Sequence, residues 1–218
     1  MTLAIFDLDN TLLSGDSDHG WGNFWVEKNI VDGKWYRELN EKFYAQYKRG
    51  TLDIKEYSAF SFEPLARHSM AELKVLHEQF TDTVILPMIG EKATNLVRFH
   101  KQQNHVLLII TATNSFITRP IADAFGIRYL LATEPKIKNG RYVNSIDGVP
   151  CFHKGKVIRL NDWVKRKGLD LGGSYFYSDS HNDIPLMELV DNPIAVDPDE
   201  KLAEVARQRE WKIISLLD

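Results

Sequence analysis

Two carboxylates follow the first apolar run of the chain, at a spacing that could carry out catalysis. The run over residues 3–6 has the length of a buried strand and leads directly into Asp7 and Asp9, with Asn10 and Thr11 beside them. One carboxylate of such a pair can attack a substrate while it ligates a cation, and the other can transfer the proton. Asp and Asn also form simple turns by hydrogen-bonding to nearby backbone, so this pair alone leaves both interpretations open.

Two further polar clusters also follow strand-like runs. Thr111 comes after the apolar run over residues 105–110, and Asp179 and Asp183 come after the run over residues 174–177. In this part of the chain such runs alternate with helical patterns, which predicts right-handed crossovers and a parallel, doubly wound sheet of the α/β class. Ligands of such sheets bind beyond the carboxyl ends of the strands. The three clusters are therefore expected to meet on one edge of the sheet.

Helix starts are predicted at two places near this edge. Residues 111–115 open one helix that runs to Phe125, and residues 154–156 open another that ends at Gly168. Between them, the Asn-Gly pair at residues 139–140 is flanked by strand-like triplets, which is typical of a β-hairpin. This hairpin is expected to project from the sheet as a flap.

The segment between the first and second clusters has no strand pattern. Apolar residues recur there at three- and four-residue steps over about residues 20–83, and Ser69 and Glu72 form a capping box, so amphipathic helices are predicted. Aromatic residues at helical spacing usually form core, and we prefer that interpretation over a substrate cleft. The aromatic residues concerned are Trp21, Phe24, Trp25, Trp35, Tyr36, Phe43, Tyr44 and Tyr47.

The composition excludes several functional classes. Of the 218 residues, 44% are hydrophobic and 26% are charged, as in ordinary globular proteins, and the net charge of -3 gives no case for nucleic-acid binding. The single cysteine, Cys151, rules out an intrachain disulfide and is interpreted as a structural thiol in a reducing compartment. No apolar stretch has the ~18 residues of a membrane span, and the first residues do not resemble a signal peptide. A cytoplasmic protein without membrane contacts is expected.

Four motifs in this order resemble those of the haloacid dehalogenase superfamily. They are D-x-D-x-T after the first strand, a threonine after a second strand, a lysine at a helix start, and D-x-x-x-D after a further strand. The resemblance covers the whole chain and is strongest to the phosphoserine-phosphatase-like subgroup, which includes histidinol-phosphatase-like relatives. It implies an α/β core over residues 1–15 and 86–218, with a helical cap inserted over residues 16–85.

The resemblance also implies catalytic roles. Asp7 would attack phosphorus and become an aspartyl phosphate, and Asp9 would protonate the leaving alcohol and then activate water. An acid at residue 9 suits the phosphatases of the superfamily better than its dehalogenases or ATPases. Thr111 would donate its hydroxyl to a phosphoryl oxygen, with backbone N–H groups near Ala112 completing an anion site, although an N-cap role for Thr111 is compatible with the same geometry.

The catalytic lysine and the metal ligands follow from the same resemblance. Either Lys154 or Lys156 would neutralise the phosphoryl group and the nucleophile, and Lys154 is the preferred candidate. Carboxylates of Asp7 and Asp179 with the backbone carbonyl of Asp9 would bind Mg²⁺, because a hard cation prefers oxygen ligands and retains several waters. Asp183 would orient the lysine or a metal-bound water.

The cap is expected to close over the site and to select the substrate. Asp16 lies at the position where phosphoserine phosphatases place the acid that meets the substrate ammonium group. Asp18 and Arg67 are further candidates for the cleft, and a role as ordinary loop charges is equally compatible with the sequence.

The leading hypothesis is a Mg²⁺-dependent hydrolase of a small metabolite phosphate. The substrate is expected to be an amino-alcohol phosphate such as phosphoserine, with histidinol phosphate as the alternative. Two other hypotheses are a phosphotransferase that uses an amino alcohol as acceptor and a catalytically silent protein that binds a phosphorylated metabolite. The sequence does not indicate an oligomeric state.

Overall fold

The computed structural model describes residues 1–217, in which a seven-stranded sheet has the order β4-β3-β2-β1-β5-β6-β7. Only β4 is antiparallel to its neighbour, and every other neighbouring pair is parallel. The α/β class with a doubly wound sheet is therefore confirmed. The strands are β1 (Leu3–Phe6), β2 (Val106–Asn114), β3 (Tyr129–Lys138), β4 (Arg141–Asp147), β5 (Tyr175–Ser178), β6 (Asn192–Val196) and β7 (Lys212–Ile214).

Helices cover both faces of the sheet. Because successive side chains of a strand point to opposite faces, Ala4 and Phe6 of β1 enter one buried apolar cluster while Leu3 and Ile5 enter the other. Within residues 1–217, no helix combines the length and the apolar character needed to cross a bilayer. The α-helices of this part of the chain are α1 (Ser17–Glu27), α2 (Gly33–Arg49), α3 (Ile54–Arg67), α4 (Met70–Phe80), α5 (Glu91–Gln102), α6 (Ser115–Ala124), α7 (Lys154–Lys167), α8 (Ile184–Met187) and α9 (Glu200–Gln208).

The central strand β1 lies where the direction of winding reverses. The chain passes from β1 outward through β2 and β3, and it then returns to the other side of β1 to form β5 and β6. Phe6 is level with Ile109 of β2 and with Tyr177 of β5, so β1 and β5 end at nearly the same height while β2 continues past them. Such a reversal leaves a crevice at the carboxyl ends of the strands, which is the usual ligand position in open α/β sheets.

Strand β2 is longer than predicted from the sequence. It continues through Thr111 and Thr113 to Asn114, which pairs with Thr133 of β3 beyond a register shift. The β-branched threonines are compatible with extended backbone, and the Asn114 side chain caps α6 by accepting from the N–H of Ile117 at 3.2 Å. The prediction that Thr111 opens the helix was therefore wrong.

Helices α1 to α4 form the predicted helical block between β1 and α5. Aspartates cap the first three helices, and the Ser69–Glu72 capping box at α4 is confirmed. The block shares one continuous buried cluster with the sheet, in which Trp21 and Trp25 of α1 pack together with Phe6 and Ile117. The division of the chain into a core and a cap at residues 16 and 85 stays a prediction.

The predicted hairpin is present, but it is not a free flap. Asn139 and Gly140 form its turn with φ angles of 52° and 72°, the left-handed conformations that a tight two-residue hairpin turn requires. Strand β4 packs against α3, and its Tyr142 and Ile146 contact the buried cluster that the helical block shares with the sheet. The hairpin therefore joins the sheet to the helical block.

The end of α2 contacts the loop that follows β5. The side-chain amide of Asn182 donates to the backbone carbonyl of Tyr47 at 3.3 Å. Gly50 ends α2 with φ 72°, and a Cβ atom there would lie 2.8 Å from Nε2 of His181. A glycine is required both by this close approach and by the left-handed backbone. The contact holds the end of α2 over the carboxyl end of β5.

A buried turn leads from β4 into α7. Cys151 is completely buried there, and its backbone N–H donates to the Thr133 hydroxyl at 3.0 Å. Burial raises the pKa of the Cys151 thiol to about 12. The interpretation of Cys151 as a structural thiol is confirmed.

Candidate functional site

The crevice at the strand ends holds a buried lysine between two carboxylates. Nζ of Lys156, in the first turn of α7, donates to Oδ1 of Asp7 and to Oδ2 of Asp183, each at 2.7 Å. All three side chains are buried, and Ser178 at the end of β5 also donates to Asp183 at 2.8 Å. The two carboxylates raise the pKa of Lys156, so the lysine remains protonated across the physiological range.

The preference for Lys154 over Lys156 was wrong. Lys154 is exposed, whereas Lys156 is 2% exposed and reaches Asp7. Residues two apart on a helix point about 200° away from each other, so only one of these lysines can face the sheet. Gly155 sets this orientation because it lies against the backbone of Pro150, where a Cβ atom would be 2.0 Å from the carbonyl oxygen.

Asp9 is held by different partners from those of Asp7. Its Oδ1 accepts from the backbone N–H of Ser17 at 2.6 Å, and its Oδ2 accepts from the Thr113 hydroxyl at 2.7 Å. Ser17 is the first residue of α1, so this N–H has no partner within its own helix. Burial raises the pKa of Asp9 to about 6, against the opposing effect of these hydrogen bonds. A carboxyl group in this range can both donate and accept a proton near neutral pH.

Thr111 and Ala112 lie beside Asp7 and Asp9 in the wall of the same cavity, as predicted. Their backbone belongs to the end of β2 rather than to a helix start, and the Thr111 hydroxyl accepts from the N–H of Thr113 at 3.2 Å. Thr113 was missed as a site residue. Its signal in the sequence was a second hydroxyl two residues after Thr111, which places both side chains on one face of a strand.

The donor set for a cation lies next to the lysine. Asp179 follows β5 and hydrogen-bonds with Thr11, whose hydroxyl donates to Oδ1 at 3.3 Å and accepts from the Asp179 N–H at 3.1 Å. Burial, and then the charges of Asp7 and Asp183, raise the pKa of Asp179 well above its ordinary value. Burial likewise raises the pKa of Asp7, although Lys156 opposes this. One lysine therefore leaves negative charge uncompensated among these three carboxylates.

These residues fit a hard divalent cation with few protein ligands. In residues 1–217 no cluster of three or more His, Cys, Asp or Glu side chains is arranged to bind a metal ion. A cation held by the expected ligands, the Asp7 and Asp179 carboxylates and the Asp9 carbonyl, would be completed by water, and such an all-oxygen set would suit Mg²⁺ better than Zn²⁺.

The helical block lines the cavity above these groups with acids and aromatic rings. Asp16 and Asp18 come from the start of α1, and no Arg or Lys lines the cavity among the residues that the structure describes. The core interpretation holds for the buried Trp21, Phe24 and Trp25, but not for Tyr44 and Tyr47, which face the cavity. The full set of lining residues is Asp7, Asp9, Asp16, Asp18, His19, Asn40, Phe43, Tyr44, Tyr47, Leu52, Ile54, Tyr57, Thr111, Ala112 and Thr113.

The remaining predicted cleft residues fall in different places. Asp16 lines the cavity and also caps α1, because its Oδ1 accepts from the N–H groups of Asp18 at 3.0 Å and His19 at 2.8 Å. Arg67 was wrongly predicted as a cleft residue. It is exposed at the end of α3 and pairs with Glu63 one turn earlier on the same helix, outside the cavity.

Comparisons with known proteins agree with this geometry. The sequence profile of the haloacid dehalogenase-like hydrolase family matches residues 4–188. A histidinol-phosphatase of Neisseria meningitidis serogroup C is 41% identical over 217 residues, which are 98% of each chain. The phosphoserine phosphatase SerB1 of Mycobacterium tuberculosis is 31% identical over 216 residues, which cover 96% of this chain and 69% of that protein.

A solved structure also matches along the whole chain. It is that of a protein with unknown function from Bordetella pertussis Tohama I, with 43% identity, a TM-score of 0.93 and coverage of 100% of both chains. The chain therefore belongs to the haloacid dehalogenase-like hydrolase family and is a phosphatase of that family.

Proposed function

We propose that this phosphatase hydrolyses the phosphate monoester of a small amino alcohol that lacks a carboxylate, with histidinol phosphate as the substrate. The observation that carries the proposal is the charge of the cavity over Asp7. Asp16 and Asp18 favour a cationic substrate, and the lining residues include no Arg or Lys that could bind a substrate carboxylate. The cation that acts on Asp16, Lys48, lies over the Tyr44 ring at 4.3 Å and is not among the lining residues. Phosphoserine would bring such a carboxylate next to these acids, so it is the less suitable substrate.

The reaction would proceed in two steps. In the first, a carboxylate oxygen of Asp7 forms a bond to phosphorus as the bond to the alcohol oxygen breaks, and Asp9 gives that oxygen a proton. In the second, Asp9 takes a proton from water, whose oxygen attacks phosphorus and releases the Asp7 carboxylate and inorganic phosphate. Asp9 thus ends each turnover in the protonation state in which it began.

The surrounding residues would position and neutralise the phosphoryl group. Lys156 holds Asp7 in place and supplies positive charge next to the phosphoryl oxygens, while Thr111 offers them its hydroxyl. Bound Mg²⁺, held by Asp7, Asp179 and the Asp9 carbonyl, would add electrostatic stabilisation of the transferring group. Asp183 keeps Lys156 oriented, and Ser178 in turn supports Asp183.

Sequence similarity supports this choice of substrate independently of the cavity. The Neisseria meningitidis relative that matches 98% of the chain is named a histidinol-phosphatase. The Mycobacterium tuberculosis relative named a phosphoserine phosphatase is less similar, at 31% identity. A role in amino-acid biosynthesis follows from the proposed substrate.

The test compares kcat/KM for histidinol phosphate and phosphoserine by release of inorganic phosphate in the presence of Mg²⁺. We expect histidinol phosphate to be preferred by at least tenfold and Asp7→Asn to remove the activity with both substrates. A preference for phosphoserine would overturn the proposed substrate. Activity of Asp7→Asn equal to that of the wild type would overturn the proposed mechanism.

A further inference from the structure

One carboxylate oxygen of the cavity has no hydrogen-bond partner. Oδ1 of Asp18 is buried and unpaired. Burial raises the pKa of Asp18 well above its ordinary value, and the neighbouring Tyr57 hydroxyl on α3 opposes this shift. A buried carboxylate oxygen without a donor is costly, and the free energy is recovered when a ligand supplies an N–H group. Asp18 lines the cavity that lies over Asp7, so a bound substrate can reach it.

Asp16 and Asp18 have different charged neighbours in the cavity. The charge of Asp16 acts on both Asp7 and Asp9, whereas that of Asp18 acts on Asp9, Asp16 and the tyrosines of the helical block. Asp16 also has one oxygen occupied by two backbone N–H groups, and Asp18 lacks such partners on Oδ1. The two acids therefore differ in what they offer a ligand, since Oδ1 of Asp16 is already occupied and Oδ1 of Asp18 is free to accept a hydrogen bond.

The aromatic walls of the cavity suit a flat ring. Phe43, Tyr44, Tyr47 and Tyr57 all line the cavity. One ring pair is already stacked there, since the imidazole of His19 lies on Tyr44 with centroids 4.4 Å apart and planes 16° from parallel. Aromatic walls next to an unpaired carboxylate select a planar group that carries an N–H, since the faces of the ring stack while its edge donates.

We propose that Asp18 determines specificity by accepting a hydrogen bond from the ring N–H of a heteroaromatic amino-alcohol phosphate, while Asp16 accepts from the amino group. This inference rests on the proposed function and deepens it, because it divides recognition of the substrate between two acids. Tyr57 is a positioning residue that holds the Asp18 carboxylate. The substrate class is a phosphate ester with an amine near the phosphate and an imidazole-type ring beyond it.

Three phosphate esters separate these contacts. Histidinol phosphate has both the amine and the ring N–H, phenylalaninol phosphate keeps the amine with a ring that has no nitrogen, and 3-(imidazol-4-yl)propyl phosphate keeps the ring without the amine. For the wild type we expect kcat/KM for histidinol phosphate to exceed that for phenylalaninol phosphate by at least tenfold, mainly through KM. In Asp18→Asn that ratio should fall by about tenfold, the effect of losing a charge-assisted hydrogen bond.

Matched variants exclude a general effect of removing charge. Asp16→Asn preserves the helix cap, since Asn caps as well as Asp, and it should instead reduce the preference for histidinol phosphate over 3-(imidazol-4-yl)propyl phosphate. Asp32→Asn removes an exposed cap carboxylate outside the cavity and should leave both ratios as in the wild type. Tyr57→Phe provides a second measurement if Asp18→Asn folds poorly. It should lower the preference for histidinol phosphate over phenylalaninol phosphate, by less than Asp18→Asn does.

The outcomes distinguish this inference from the proposed function. A wild-type enzyme that prefers histidinol phosphate to phosphoserine, but hydrolyses phenylalaninol phosphate equally well, overturns the role of Asp18 and leaves the proposed function standing. The same conclusion follows if Asp18→Asn and Tyr57→Phe both keep the wild-type preference for the ring nitrogen. A wild-type enzyme that hydrolyses p-nitrophenyl phosphate but none of the amino-alcohol esters overturns both.

Discussion

Asp7 and Asp9 are two residues apart, yet their partners differ in charge. Burial raises the pKa of Asp7 to about 7, and the protonated Lys156 opposes this shift and favours the ionised form. Asp9 has only neutral donors, from Ser17 and Thr113, and its pKa is raised to about 6. A nucleophile must be ionised, whereas an acid–base group must exchange a proton. The partner of Asp7 carries a positive charge and the partners of Asp9 do not, and this difference supports the unequal roles proposed for the two side chains.

Removal of the Thr113 hydroxyl should change the pH dependence of the enzyme. The hydrogen bond from Thr113 lowers the pKa of Asp9, so Thr113→Val should raise that pKa further. Because Asp9 must be ionised to activate water, the acidic limb of the kcat–pH profile should move to higher pH by about one unit. Thr113→Ser keeps a hydroxyl and serves as the control. An acidic limb at the wild-type pH in Thr113→Val would contradict the proposed role of Asp9.

The two lysines of the α7 start should differ sharply in their effects. Lys156→Met leaves Asp7 and Asp183 buried without their shared cation, which should destabilise the fold by about 3–5 kcal/mol and reduce kcat by at least about 100-fold. Lys154→Met removes an exposed side chain, so both the stability of the fold and kcat should stay close to the wild-type values. Urea unfolding and phosphate release measure the two effects. Equal losses in both variants would contradict the assignment of Lys156.

The elements that carry the site could be predicted to different extents. The ends of β1 and β5 followed from short apolar runs that stop at Asp7 and Asp179. The end of β2 could not be predicted in this way. Residues 111–114 suit a strand and a helix start equally, and only their pairing with β3 decides between the two. The choice between Lys154 and Lys156 depended on the rotation of α7, which a tertiary contact at Gly155 sets.

The contact of Gly155 with the Pro150 carbonyl predicts that a substitution at this glycine affects both stability and activity. In Gly155→Ala the new Cβ would clash with the Pro150 carbonyl, so the start of α7 must shift and Lys156 must move with it. We expect the unfolding free energy to fall by about 1–3 kcal/mol and kcat to fall as well. In Gly168→Ala, at the other end of the same helix, the space is open and only the left-handed backbone is strained. That variant should lose stability but keep its kcat, and full activity in Gly155→Ala would contradict the proposed constraint.

The molecule as a whole depends on how the helical block meets the sheet. Periodicity in the sequence identified the block and its capping box, but it could not distinguish an aromatic residue in the core from one facing a cavity. Trp21 and Tyr44 occur in similar patterns, yet Trp21 packs against Phe80 and Phe116 in the core while Tyr44 lines the cavity. The difference arises from the packing of α1, α2 and α3 around one space, which is a property of tertiary structure.

A buried histidine of α5, packed on the central strands β1 and β5, should make global stability sensitive to acid. His100 is completely buried, its Nδ1 is 2.8 Å from Nδ1 of His105, and its Nε2 is 2.8 Å from the Tyr177 hydroxyl. Burial, with the charge of His105, lowers the pKa of His100 from 6.5 to about 4. Between these pH values the unfolded chain binds a proton that the folded protein does not. Stability should therefore fall as the pH falls through this window, by on the order of 3 kcal/mol.

A variant isolates this contribution from those of the carboxylates. His100→Gln cannot titrate, so the difference in unfolding free energy between pH 7 and pH 4.5 should be smaller than in the wild type. Urea unfolding at both pH values measures it, and the comparison at pH 7 corrects for the packing lost on substitution. The same pH dependence in both proteins would show that the proton uptake occurs elsewhere.

The buried turn at Cys151 gives the protein an internal chemical probe of its own motions. The chain has one cysteine, and its thiol lies between β3 and the start of α7, where Lys156 is held. Because Cys151 is buried, a thiol reagent can react with it only while the turn between β4 and α7 is open, so the labelling rate reports how often this segment opens. Ligands that bridge Lys156 and the helical block should slow the labelling. Opening of this segment can thus be timed in the unmodified protein, without introducing a fluorophore or any substitution.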